Sequence, residues 1–129
     1  MDIGGSMGLY AIAAKVANPE SEGYSFEPSR TAFEMLCKNM ALNNLKIVAE
    51  PVAHSNTKGE AEFYDLVSFT AISSLKLNEN LRTSPGLIKY KVPVMTLADF
   101  MESRGISRID LVSIDVEMNE QKCWRVWGT

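Results

Sequence analysis

A chain of 129 residues has room for one domain of modest size. With 46% hydrophobic and 22% charged residues it can build an ordinary packed core. Its net charge of −3 and pI near 5.2 argue against a general nucleic-acid binder, which needs a basic face to neutralise phosphates. The most apolar early stretch, residues 9–17, is interrupted by Lys15 and is too short to span a bilayer. It has no basic leader and no small-residue cleavage site, so it does not read as a signal peptide, and no membrane partner is expected. Cys37 and Cys123 stand far apart in no metal-spaced cluster, which points to free thiols, a reducing cytoplasm and no metal site.

In chain order, Leu9, Ile12, Ala13, Val16 and Ala17 recur at helical spacing until Asn18-Pro19 stops the pattern. Residues 23–28 read as a short strand ended by Pro28. Thr31 and Glu34 then have the capping-box spacing, in which hydroxyl and carboxylate satisfy free amides at a helix start. Phe33, Leu36, Cys37 and Met40 give that helix its apolar stripe, and Asn43-Asn44 ends it. Residues 46–52 form a second predicted strand and residues 60–64 a third, after a turn at Lys58-Gly59. From Val67 to Leu87 the chain is polar, rich in Ser and Asn, and weakly periodic. Residues 89–95 read as an edge strand, because Pro93 cannot donate to a ladder. Thr96 and Asp99 cap a further helix, with Leu97, Phe100 and Met101 inward and Gly105 as its stop. The run Ile109, Leu111, Val112, Ile114, Val116 reads as the best buried strand. Strands alternating with helices predict an α/β fold: a doubly wound, mostly parallel sheet with helices on both faces.

The chemistry concentrates in the run Asp2-Ile3-Gly4-Gly5-Ser6-Met7-Gly8, directly before the first helix. Glycines there let the backbone turn sharply and approach a ligand, and the helix start offers free amides. A dinucleotide fingerprint needs the spacing G-x-G-x-x-G, which is absent. An acid at the strand end suits a cationic amino-acid moiety better than a pyrophosphate, which it would repel. S-adenosylmethionine, with an ammonium, a sulfonium and no phosphate, fits that charge logic. Glu27 closes the second strand about 20 residues further on, where an acid in a doubly wound sheet accepts bonds from ribose hydroxyls.

Several segments, in order, resemble the FkbM-type methyltransferase family. They are Asp2 through Tyr10, then Phe26-Glu27-Pro28-Ser29, then Ala41-Leu42-Asn43-Asn44-Leu45. Residues 53–63 with the Lys58-Gly59 turn, residues 92–100 and residues 108–117 continue the likeness. The resemblance implies a class I, Rossmann-like methyltransferase sheet, S-adenosylmethionine as methyl donor, and a small-molecule hydroxyl acceptor such as a sugar or natural product. It implies Asp2, Gly4, Ser6 and Gly8 around the methionine part of the cofactor, Glu27 on the ribose, and Ser55 and Asn56 near the adenine. Asp115 and Glu117 would emerge at the carboxyl end of the fourth strand beside the transferring methyl, one of them orienting the acceptor hydroxyl or serving as its general base. The chain departs from the family where Ser113 stands in place of a usual Lys and Met118 in place of a usual Gly. Residues 121–129 no longer follow the family helix, and Met1 directly precedes the acid that ends the first strand. A single methyltransferase-like domain over residues 1–129, truncated at both ends, is therefore expected.

The alternatives are a non-catalytic fragment that only binds a partner and, disfavoured by the glycine spacing, a nicotinamide-dependent oxidoreductase. The glycines also suit an ordinary turn, and Asp115 and Glu117 a polar strand end. His54, the single histidine, reads as a surface loop residue rather than a base or ligand. Trp124 and Trp127 suit ligand stacking and an atypical tail equally well.

Overall fold

The computed structural model describes residues 1–67, 73–77, 79, 82–116 and 120–124. Its elements are β1 (Asp2–Ile3), α1 (Leu9–Ala17), β2 (Gly23–Phe26), α2 (Arg30–Leu42), β3 (Ile47–Glu50), β4 (Ala53–His54), β5 (Gly59–Leu66), β6 (Leu87–Met95), α3 (Leu97–Arg104), β7 (Ser113–Ile114) and α4 (Glu120–Trp124). A four-stranded sheet runs in the order β3-β2-β1-β7 with every pair parallel. The expected α/β architecture is present. Among the described residues no helix is long and apolar enough to cross a membrane.

Strand alternation puts helices on both faces. On β1, Ile3 joins Phe26 of β2 in one core with Leu97 and Phe100 of α3 and with Cys123. Their neighbours Asp2 and Ser25 turn to the other face, where Asp2 Oδ2 accepts the Ala11 N–H of α1 at 3.2 Å. The first core is built on edges of rings: Phe26 meets Phe100 at 4.7 Å between centroids and Tyr24 meets Phe100 at 5.3 Å, both T-shaped.

A second sheet has no counterpart in the sequence pattern. The predicted strand 46–52 shortens to β3, and after Pro51 and Val52 the chain re-forms just beyond it as β4, in the other sheet. The order β4-β6-β5 makes β6 the middle strand, not an edge. Pro93 is tolerated because β4 pairs only Val94 and Met95, so the ladder on that side begins just beyond it. Ala53, Phe63, Val92 and Val94 form a separate small core there.

Three further expectations change. Ser29, not Thr31, caps α2: its hydroxyl accepts the Ala32 N–H, because the chain after Pro28 holds Ser29 extended (ψ 124°) one residue before the helix. The apolar stripe of α1 is not its buried face, since Leu9 and Val16 are more than half exposed and only Ala11 is buried. The predicted strand over residues 109–116 shrinks to β7, with Leu111 exposed, because its partner β1 spans only Asp2–Ile3. By contrast α3 starts and stops as predicted, with Thr96 accepting the Asp99 N–H and Gly105 in a left-handed turn at φ 64°.

Gly4 is fixed by the approach of β7. At φ 81°, a Cβ there would sit 1.9 Å from the Asp115 carbonyl oxygen, a backbone atom that cannot swing aside. Gly4→Ala is expected to cost more than about 2 kcal/mol by chemical denaturation. Gly105→Ala, left-handed but in open space, should cost only about 1 kcal/mol. Equal costs would contradict a steric origin at Gly4.

Candidate functional site

The carboxyl ends of the three adjacent strands β1, β2 and β7 deliver Gly4, Glu27 and Asp115 to the lining of one cleft, the place where open α/β sheets collect ligands. Ser6, Phe26 and Pro28 complete that side. The opposite side comes from the second sheet and its connections: Ala53, His54, Phe63, and the stretch Ser73, Ser74, Leu75.

Glu27 organises the cleft. Its Oε2 accepts the Ser6 N–H and its Oε1 the Ser29 N–H, both at 2.8 Å, so one carboxylate ties the glycine loop to the start of α2. The loop is further held by Phe26, whose carbonyl accepts both the Gly4 and Gly5 N–H at 2.9 and 3.0 Å. Burial lifts the Glu27 carboxyl from its ordinary 4.5 to about 7; the Ser29 and Ser6 amides pull against that, while the carboxylates of Asp65 and Asp2 add to it. Burial likewise raises Asp2, opposed first by the Ala11 amide. Asp2 Oδ1 has no partner with hydrogen-bond geometry among the described residues.

The expected site residues divide. Gly4, Ser6, Glu27 and Asp115 line the cleft together, and Asp115 is exposed at it. Asp2 and Gly8 do not line it: Asp2 is 3% exposed and braces α1 from beneath, and Gly8 packs against Leu36. Ser55 and Asn56 lie just past β4, Ser55 buried and Asn56 exposed, and neither lines the cleft. Glu117 falls outside the described residues, as does Trp127.

His54 is a correction. It is 2% exposed, sits on β4 and packs edge-on against the Phe26 ring at 4.3 Å, because β3 and β4 carry it inward instead of into a loop. Burial pushes its pKa down to about 4, so it lines the cleft as a neutral imidazole. Among the described residues no group of three or more His, Cys, Asp or Glu side chains is arranged to hold a metal ion. Phe63, Ser73, Ser74 and Leu75 went unnoticed in the sequence. Alternation of Ala61, Phe63 and Asp65 along a strand was the one signal pointing inward there.

A family model for the methyltransferase FkbM domain matches residues 2–123. The chain belongs to the FkbM methyltransferase family. Within curated proteins it is similar to Methyltransferase sdnD of Sordaria araneosa, 23% identical over 143 aligned positions that cover 91% of this chain and 55% of that protein. The chain thus spans about half the length of that curated relative. No solved structure matches it significantly. In this FkbM chain the family segment holding Phe26 and Glu27 is the one that builds the cleft's central clamp.

The Glu27 proton has a measurable consequence. Between pH 4.5 and about 7 the folded state keeps a proton that the unfolded state has released. Stability from this group is therefore greatest at low pH, falls as pH rises through that window and is level above it. Urea midpoints from about pH 5 to about pH 8 should show the wild type losing stability relative to Glu27→Gln as pH rises. Parallel curves would contradict the raised proton affinity.

Proposed function

We propose that the cleft binds S-adenosylmethionine and that the chain takes part in methyl transfer to a hydroxyl oxygen of a small molecule, sugar or natural-product-like. The observation that carries this reading is the state of Glu27. A carboxylate offers about four acceptor positions, and two backbone amides occupy two of them. The remaining pair, at a strand end and in a cleft, suits a cis-diol such as a ribose. Donation from two hydroxyls favours the ionised form, which burial alone disfavours.

The charge of the cleft supports this cofactor over a dinucleotide. Among the described residues its lining carries Glu27 and Asp115 and no Lys or Arg. The loop amides of Gly4, Gly5 and Ser6, which a phosphate-binding loop would aim at its ligand, are all bonded within the protein. A pyrophosphate finds only repulsion here, whereas an ammonium and a sulfonium find carboxylates. Glu27 and Ser6 would hold the ribose side. Pro28, Phe26, Ala53 and neutral His54 would flank the base with apolar surface, while Asp2 keeps the loop in place from below.

S-adenosylmethionine supplies a methyl group already activated on sulfur, so the protein's share is alignment, exclusion of water and management of one proton. Asp115, exposed at the cleft, would orient the acceptor hydroxyl and accept its proton at a carboxylate oxygen during the transfer. The cytoplasm is the compartment consistent with the free thiols Cys37 and Cys123.

Calorimetry with S-adenosylhomocysteine tests the cofactor half. Glu27→Ala is expected to weaken binding roughly 10- to 100-fold, the size of hydrogen bonds to a charged group. Asp115→Asn should leave affinity within about twofold yet lower turnover on an accepted hydroxyl substrate by about a hundredfold. Absence of binding by the folded wild type, or tight binding of a nicotinamide dinucleotide instead, would overturn the reading. Cofactor binding without turnover on any hydroxyl acceptor would leave a binding module only.

A further inference from the structure

Asp65, on β5, is completely buried and among the described residues forms no ion pair. Three hydroxyls satisfy it instead. Ser29 Oγ lies 3.1 and 3.0 Å from its two oxygens, Ser73 Oγ donates to Oδ1 at 2.8 Å, and the Tyr90 hydroxyl donates to Oδ2 at 2.6 Å. Each hydroxyl in turn accepts a backbone N–H: Ser29 from Ala32 at 3.3 Å, Ser73 from Leu66 at 3.0 Å, and Tyr90 from Arg30 at 3.1 Å. A hydroxyl that accepts an amide and donates its one proton to a carboxylate has a fixed orientation. The Arg30 guanidinium lies over the Tyr90 ring, 4.4 Å from its centroid, and closes the cluster on the solvent side.

These hydroxyls stand on separate elements around the cleft. Ser29 caps α2 and its own amide grips Glu27; Ser73 adjoins Ser74 and lines the far wall; Tyr90 stands on β6 of the second sheet. A buried carboxylate costs desolvation that an apolar contact does not, and what it supplies here is direction. We propose that Asp65 is a positioning residue for the cleft, holding the Glu27 clamp on the first sheet and the 73–75 wall on the second at one separation. This rests on the reading of Glu27 as the group that receives the cofactor's ribose. It extends the site to a residue that never touches the ligand.

The ionisable groups around Glu27 are Asp2 beneath the glycine loop, Asp65 behind Ser29, His54 and Asp115 on the cleft lining, and Tyr90 with Arg30 beside Asp65. Of these, Asp65 and then Asp2 add to the Glu27 proton affinity through their charge. That effect reads the Asp65 charge whatever its role, so positioning is read from the local protection of the Ser29 and Arg30 amides.

The test follows the Glu27 carboxyl titration by NMR and the hydrogen exchange of the Ser6, Ser29 and Arg30 amides, none of which needs cofactor. Asp65→Asn is expected to lower the Glu27 midpoint by roughly half a pH unit. It should also speed exchange at the Ser29 amide about tenfold, the scale of one lost hydrogen bond. Tyr90→Phe keeps the charge, so it should leave the midpoint in place while exchange at Arg30 and Ser29 rises about tenfold. Wild-type protection at Ser29 and Arg30 in both variants would overturn the proposal whatever the midpoint does, and so would a loss of protection spread evenly over the fold. If Asp65→Asn fails to fold, Tyr90→Phe decides: wild-type protection at Ser29 and Arg30 overturns it, local loss supports it. A wrong ribose assignment shows separately, as failure of the wild type to bind S-adenosylhomocysteine while these local effects persist.

Discussion

A single carboxylate joins what the topology leaves apart. The glycine loop and the start of α2 belong to successive βα units and share no strand, and Glu27 bridges them through the Ser6 and Ser29 amides. Such a bridge is costly to bury, since the carboxyl is lifted to about 7, and two amides only partly offset the loss of water. The compensation open to the molecule is a ligand that donates to the remaining acceptor positions. A group held half-ionised near neutral pH by its surroundings is a common mark of a functional position.

Around that clamp the two faces of the parallel sheet do different work. Ile3 and Phe26, each 1% exposed, pack against α3, Phe26 through its edge-on contact with Phe100, beneath the cleft. On the other face Asp2 braces α1 through the Ala11 amide, and the Ser25 hydroxyl fills the space beside Gly5. The small second sheet contributes the far wall, with Phe63 and Leu75, and is fastened to the first through Asp65 and its hydroxyls. In this member of the FkbM methyltransferase family, Gly4, Glu27 and Asp115 stand together at three adjacent strand ends.

Much of this was legible in the sequence, and the illegible part has physical causes. Local signals with a local mechanism survived: the Thr96 cap, the Gly105 stop, the acid ending β2, the order of strands and helices. Signals that depend on a partner did not. The length of β7 is set by β1, and the fate of Pro93 by where β4 begins. The capping-box spacing at Thr31 lost to Ser29, whose hydroxyl satisfies a helix amide and a distant carboxylate together. The glycines were expected to make room for a ligand; at Gly4 and Gly8 the room is taken by β7 backbone and by Leu36. His54 looked like a loop residue because a strand of two residues gives no period to read. Asp65 was invisible for the opposite reason: its donors lie 8, 25 and 36 residues away in sequence.

The most direct test of the clamp is the proton count on cofactor binding, obtained by titrating S-adenosylhomocysteine calorimetrically at pH 7 in buffers of different ionisation enthalpy. A carboxyl poised near 7 that must ionise to receive two hydroxyls should release roughly half a proton on binding. The release should vanish in Glu27→Gln, with affinity lower by about tenfold or more. Binding with no proton release, or equal affinity in Glu27→Gln, would contradict a cofactor held by this carboxylate.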